Sequence, residues 1–297
     1  MLECVPNISE GRRPEVIQRL VKAVRRPGVQ LLDHSSDPDH HRSVLTLAGA
    51  PGALHGALLD LYEVAIETID LGRHDGRHPR LGAVDVVPFV PLGEATMATA
   101  IATATDLAEA VAQRFDLPVF LYEEAARHSR RSALPEIRRG GFEGLPERLA
   151  TTDGAPDFGP PRRHPTAGAT VIGARQFLVA FNLVLESDDL ALARRIARRL
   201  RERDGGLPGV RALGIAVPTQ GRVQVSVNLI APERTSLATV VAEVRRLAAA
   251  EGVDLADSEL IGLLPQRVLY DAARQALGLP ALDEAQVVEA AIARRRS

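Results

Sequence analysis

Tryptophan is absent from the 297-residue chain, and aromatic residues make up only 3% of it. The stacking platforms on which single-stranded nucleic acids lie are therefore scarcely available. Lys22 is the only lysine, and Val21 precedes it, so the chain contains no Gly-Lys-Ser/Thr phosphate loop. A Schiff base with pyridoxal phosphate would have to use Lys22, which sits in a Val/Leu repeat typical of an ordinary surface helix. Neither a nucleotide nor PLP is expected. Cys4 is the only cysteine, which excludes an intramolecular disulfide and a thiolate zinc cluster. Excess charge of one sign is lacking too. Lysine and arginine number 36 against 38 aspartate and glutamate, a net charge of −2 that argues against a nucleic-acid partner. The longest stretch without a formal charge, Ser43–Leu59, is broken by glycine and proline and falls short of the ~20 apolar residues that span a bilayer. No basic patch followed by an apolar run opens the chain. The expectation is a cytoplasmic protein without a membrane contact.

Hydrophobic residues reach 45%, enough for a sizeable core, and the length suits two units. Strand-like and helix-like periods alternate in two rounds. The first predicts strands at Leu2–Pro6, Val29–Leu32, Val44–Leu47, Val84–Val90 and Pro118–Tyr122. Its helices run from Pro14 to Arg25, Gly52 to Ile69 and Ala95 to Phe115, with a polar loop at Asp33–Ser43. The second predicts a strand at Phe177–Leu185, a helix at Leu190–Arg203 and a hairpin of Val210–Val217 with Arg222–Ile230 around Thr219-Gln220-Gly221. A helix at Leu237–Ala250, a short strand at Leu260–Leu263 and helices after Pro265 and Pro280 complete it. Each round reads as β-α-β-β-α-β, the split ferredoxin-like unit, so the fold class is α+β. Between the rounds, Arg139–Ala174 is rich in Gly and Pro and aperiodic. A connection of this length is more often a functional loop than a plain linker.

Five of the eight histidines (His34, His40, His41, His74 and His78) fall in the first 78 residues outside the helical pattern. The densest run is Arg73-His74-Asp75-Gly76-Arg77-His78-Pro79-Arg80, where Gly76 and Pro79 oppose a continuous helix. Three readings compete. A metal would use His74, His78 and Asp85 with His40 or Asp39, but the spacing matches no strong metal signature. A second reading is a solvated basic loop whose histidines cap helix ends. The third is proton transfer by one imidazole beside arginines that bind an anion. Arg42 would join Arg80 as a carboxylate fork. Asp85 lies inside an apolar run and needs a partner, either a substrate or an arginine in a structural ion pair. Asn7 could offer its amide to a ligand or cap a helix. Cys4, on an apolar strand, reads as a small core residue.

Several ordered motifs carry a resemblance. Glu3-Cys4-Val5-Pro6-Asn7-Ile8-Ser9-Glu10-Gly11, His78-Pro79-Arg80-Leu81-Gly82-Ala83-Val84-Asp85-Val86 and Pro156-Asp157-Phe158-Gly159-Pro160 resemble the glutamate formimidoyltransferase family. So do Gly168-Ala169-Thr170, Gly173-Ala174-Arg175, Phe177 to Asn182 and Gln224-Val225-Ser226-Val227-Asn228-Leu229. The resemblance implies transfer of the formimidoyl group of N-formimidoyl-L-glutamate to N5 of tetrahydrofolate, a co-substrate, in histidine degradation, with no metal. It implies two ferredoxin-like subdomains, residues 1–175 and 176–297, with a ligand groove between them, in a homodimer. His78 would be the acid–base residue. Arg42, Arg80, Asp39, Asp85 and Asn7 would meet the donor. The folate loop would be Gly159, Pro160, Pro161, Arg162, Arg163, His164, Pro165, Thr166, Ala167 and Gly168. Gly214-Ile215 replaces the family's Gly-aromatic pair, His41 stands where an Asn is common, and the folate loop lacks an aromatic residue. Formyl transfer, or folate binding without catalysis, remains an alternative.

Overall fold

The computed structural model describes residues 1–38, 40–75, 79–129, 132–217 and 221–294. Two compact units, Met1–Gln176 and Phe177–Ser297, each enclose their own core.

In the first unit, β1 (Leu2–Cys4) and β2 (Asn7–Ile8) are one strand interrupted at Pro6, whose nitrogen carries no hydrogen. Both pair antiparallel with the strands Arg42–Gly49 and Val84–Pro91. Helix α1 (Pro14–Ala23) follows, started by a proline. Strands β3 (Val29–Asp37) and β4 (Arg42–Gly49) form a hairpin. The expected polar loop Asp33–Ser43 is thus mostly strand. Its polar residues belong to the sheet edge, where β3 pairs with β4 alone among the described strands and its residues are mainly exposed. Helix α2 (Pro51–Thr68) buries Leu54, Leu58, Leu61, Tyr62 and Ala65 along one stripe. Strand β5 (Val84–Pro91) is buried through all but its last residue. Helix α3 (Met97–Phe115) presents Ala100, Ala104, Leu107, Ala108 and Val111, and Asp116 ends it at a positive φ of 52°.

Strand β6 (Val119–Glu123), the short helices α4 (Leu134–Ile137) and α5 (Leu145–Leu149), and β7 (Thr170–Ala174) complete the unit. β7 corrects the expectation of an aperiodic segment through residue 174. It is wholly buried and lies parallel to both β5 and β6, in a seven-stranded sheet of order β3-β4-β1/β2-β5-β7-β6. Buried on both faces, such a strand shows no alternation to read.

The second unit runs β8 (Val179–Leu185), α6 (Leu190–Leu200), β9 (Val210–Val217), β10 (Arg222–Leu229), α7 (Leu237–Ala249) and β11 (Leu255–Ile261). The antiparallel order is β11-β8-β10-β9. Thr219 and Gln220 of the expected hairpin turn lie outside the described residues. The last strand starts at Leu255 rather than Leu260. Its Asp257, Ser258 and Glu259 are exposed on an edge strand and hide the pattern. Helices α8 (Gln266–Leu277) and α9 (Val288–Arg294) follow.

Candidate functional site

A narrow cleft in the first unit is lined by Arg42 of β4, Asp85 of β5, and Ser9, His40, His41, His74 and Arg80 from the segments between elements. Glu10 is its foundation. This carboxylate is fully buried, accepts from the amides of Arg12 and Arg13 at 2.9 and 3.0 Å, and holds the Arg13 guanidinium at 2.6 Å. Those bonds overcome its burial and hold its pKa below the usual carboxylate value. Ser9 donates to the Gly82 carbonyl at 2.8 Å, which ties the turn after β2 to the segment before β5.

Two imidazoles stack over this base. His41 adopts a φ of 52°, and its Nδ1 accepts from the Gly11 amide at 3.0 Å. Its ring is therefore neutral, and the Glu10 carboxylate 3.6 Å away is a neighbour rather than an ion-pair partner in that form. The His74 ring lies 4.2 Å from it, centroid to centroid, with 25° between planes. His74 Nε2 is 3.1 Å from the His41 carbonyl and must donate there. Burial lowers both pKa values, and the arginines around them lower them further.

Arg42 and Arg80 both reach the cleft. Arg42 donates to the Asn7 amide oxygen at 3.3 Å, and Asn7 in turn donates to the Val5 carbonyl at 3.0 Å. Asn7 lies in β2 and caps no helix. Arg80 donates to the His74 carbonyl at 2.9 Å and to exposed Glu143 at 2.8 Å. The Asp85 carboxylate is buried and engaged through both oxygens: Oδ1 takes the amides of Leu81 and Gly82 at 2.6 and 3.3 Å, and Oδ2 pairs with Arg138. Its partner is thus an arginine 53 residues away, not Arg80.

His78 and Asp39 lie outside the described residues. Among the described residues no three His, Cys, Asp or Glu side chains gather as metal ligands. Cys4 is buried in the core and its thiol pKa is pushed well up by burial.

The Gly/Pro-rich segment is part of the same structure. Leu71 donates to the Thr166 carbonyl, Ala83 to Ala167 and Ala169 to Leu81, at 2.9–3.0 Å. Residues 164–168 form a tight turn in which His164 Nδ1 accepts from the Ala167 amide. Gly168, at φ 74°, presses so close to Leu81 that a Cβ would meet its carbonyl oxygen at 2.1 Å. Arg163 lies 4.1 Å over the Phe142 ring, and Arg162 pairs with Asp116 at the surface. Residues 166–169, at the end of the expected folate loop, thereby lie beside Leu71 and beside Leu81 and Ala83. Pro160 and Pro161 follow Gly159, whose φ is 83°.

Sequence reasoning missed Glu10, the stacking of His41 on His74, and Arg138. Only Glu10 carried a signal, as an acidic residue just ahead of the Pro14 helix start.

Two family models match: "Formiminotransferase domain, N-terminal subdomain" over residues 1–175 and "Formiminotransferase domain" over residues 180–295. A glutamate formimidoyltransferase of Streptococcus pyogenes is 40% identical over 95% of both chains. One from Thermoplasma acidophilum is 39% identical over 97% of this chain and 96% of its own. The formimidoyltransferase-cyclodeaminase of Sus scrofa is 41% identical over 92% of this chain, which spans only 52% of that longer protein.

Proposed function

Because the chain belongs to the formiminotransferase family, we infer that it transfers the formimidoyl group of N-formimidoyl-L-glutamate to N5 of tetrahydrofolate, a step of histidine degradation. The observation that carries this is identity of about 40% to two glutamate formimidoyltransferases along almost the whole of all three chains. The cleft suits the chemistry. It combines guanidiniums for a glutamate with histidines held in the neutral form.

In the reaction, N5 of the folate attacks the amidine carbon and gives a tetrahedral adduct. N5 then loses its proton, the departing glutamate nitrogen gains one, and the carbon–nitrogen bond to glutamate breaks. A single base that takes the first proton and returns it serves both steps. We assign that role to His78 on the family resemblance of His78-Pro79-Arg80. Arg42 and Arg80 bind donor carboxylates as bidentate forks, and Asn7 orients Arg42. The transferred group is an amidine and cationic, so a nearby carboxylate stabilises it. Asp39 is assigned to this directly. Asp85, with both oxygens engaged, acts through its field and by holding the Leu81–Gly82 turn.

Gly159 to Gly168 are read as the folate wall, supported by their bonds to the Leu71 and Leu81–Ala83 segments. Each unit is read as ferredoxin-like: β11-β8-β10-β9 is the strand order fourth-first-third-second, and β5-β1/β2-β4-β3 repeats it in the first unit. Residues 1–175 and 176–297 are the two subdomains of this reading. A cytoplasmic homodimer using no metal, nucleotide or PLP completes it on the resemblance. No described helix is long and apolar enough to cross a membrane.

The test is direct. Incubation with N-formimidoyl-L-glutamate and tetrahydrofolate should release glutamate and change the folate spectrum together. Glutamate release without folate, or none with both, overturns the reading.

A further inference from the structure

His41 is held from several sides at once. Its backbone stands at φ 52°, a left-handed conformation that few residues other than glycine adopt. Its Nδ1 accepts from the Gly11 amide at 3.0 Å, its ring stacks on His74 at 4.2 Å, and its carbonyl faces His74 Nε2 at 3.1 Å. Sparsely populated conformations persist where the surroundings hold them, and they gather at ligand sites.

The Gly11 bond decides the tautomer. A ring nitrogen that accepts from an N–H carries no proton of its own, so the single proton of the neutral ring sits on Nε2. The rival arrangement puts the proton on Nδ1, shared with Glu10, and makes Nε2 a base. Two observations oppose it. Glu10 Oε1 is 3.6 Å from Nδ1, and it already accepts the amides of Arg12 and Arg13. Burial lowers the pKa of His41 from 6.5, so the ring stays neutral above that pH. The Nε2–H also reaches the surface. The side chain is 13% exposed and lines the cleft, no described group accepts from Nε2, and Nε2 is not among the buried atoms without a partner. Arg42 and Arg80 line the same cleft, and the Asp85 carboxylate on its lining has both oxygens engaged. A fixed donor in that company suits a ligand's carboxylate oxygen rather than its cationic end.

We propose that His41 is a substrate-binding residue, a hydrogen-bond donor of fixed tautomer whose Nε2–H meets a glutamyl carboxylate oxygen in the cleft. It binds and orients, and it is not the base. The carboxylate belongs to the donor or to the folate's glutamyl tail. The choice between those sources rests on the transferase reading; the fixed donor and the class of its acceptor do not.

The first measurement uses no turnover. In protein carrying isotope-labelled histidine, two-bond proton–nitrogen NMR spectra report the tautomer of each ring at mildly alkaline pH. His41→Asn, a residue that tolerates the positive φ, assigns the signal. His41 should show the Nε2–H form. Its Nε2 signal should shift with N-acetyl-L-glutamate, which carries both carboxylates, and not with cadaverine, which carries two cations. Steady-state kinetics then separates the sources. His41→Phe keeps a ring against His74 and loses the N–H. The KM for N-formimidoyl-L-glutamate should rise about tenfold or more in this variant, and by more than kcat falls, as for a lost bond to a charged acceptor. A rise confined to tetrahydrofolate and growing with its number of glutamyl residues also supports the site and assigns it to the folate tail. If His41→Phe fails to fold, the wild-type spectrum decides alone. The proposal is overturned by an Nδ1–H tautomer, or by an Nε2 signal that N-acetyl-L-glutamate leaves in place. It is equally overturned if folded His41→Phe keeps both KM values, whether or not kcat falls, since the ring would then serve only to hold Gly11 and His74. A wild-type protein without transferase activity whose His41 signal still answers N-acetyl-L-glutamate would sink the functional reading and leave this site standing.

Discussion

The His74 imidazole lies against that of His41, 4.2 Å between centroids, while its Nε2 faces the His41 carbonyl at 3.1 Å. This pair connects the β3–β4 hairpin to the segment that leads into His78. It requires a neutral His41 ring, because a proton on His41 Nδ1 would meet the Gly11 N–H.

A pH dependence follows from the sign of the shifts. Both histidines have pKa values lowered from 6.5 in the folded protein, chiefly by burial, and His164 shifts the same way. Below pH 6.5 the unfolded chain therefore binds protons that the native state refuses. The stability contributed by these neutral rings is full above 6.5 and is lost as pH falls from there toward the folded values. Glu10, lowered from 4.5, adds a separate loss only in more acid solution. Melting temperatures between pH 7.5 and 5 should fall, and His74→Gln should flatten the slope over that range. An unchanged slope in the variant would remove His74 from this account.

His78→Ala should reduce turnover by about 10²–10⁴, the usual range for a positioned acid–base group. Binding of tetrahydrofolate, measured by fluorescence or calorimetry, should change little. A variant retaining half of the activity would mean that another group moves the proton.

Arg42→Lys and Arg80→Lys keep the charge and lose the fork, so each should raise the KM for the donor more than it lowers kcat. Arg80→Lys also loses the bond to the His74 carbonyl, so it should lower thermal stability as well. Donor KM values at the wild-type level in both would return these arginines to structural roles.

Gly168→Ala should destabilise the protein by about 1–3 kcal/mol, the range for a non-glycine residue forced into such a conformation, and more if Leu81 cannot move. Gly205 is the control. Its φ of 86° is as positive, but a Cβ there meets nothing within 4 Å. Chemical denaturation of Gly168→Ala and Gly205→Ala should rank them in that order. Equal losses would show that the close approach to Leu81 carries no weight.

Trypsin should cut after Arg162 more slowly once a folate is bound, and glutamate alone should not protect. Arg162 is exposed, and Arg163 rests on the Phe142 ring, so the free protein is open to cleavage on one side of the segment. Equal rates with folate, glutamate and neither, at folate concentrations shown to saturate the protein, would deny this segment a place in the folate site.

The periodic helices were legible from one end of the chain to the other. Leu54, Leu58, Leu61 and Ala65 of α2 recur at helical spacing because one face must meet the sheet and the other water. The ordered motifs from Glu3 to Leu229 carried the family and hence the chemistry. Strands at the margins were harder. β11 is polar because it is an edge, and β7 is unpatterned because it is buried on both faces. The charged site was the least legible, for a physical reason. Asp85 announced that it needed a partner, since an unpaired carboxylate among valines is too costly to keep. Which of the many arginines would supply it depended on where the chain after β6 returns. Only the folded chain brings Arg138 to Asp85 across 53 positions and Gly11 to the His41 ring across 30. Residue types and local periods are written in the sequence, whereas the pairing of buried charges is decided by long-range packing, which brings groups remote along the chain within hydrogen-bond distance.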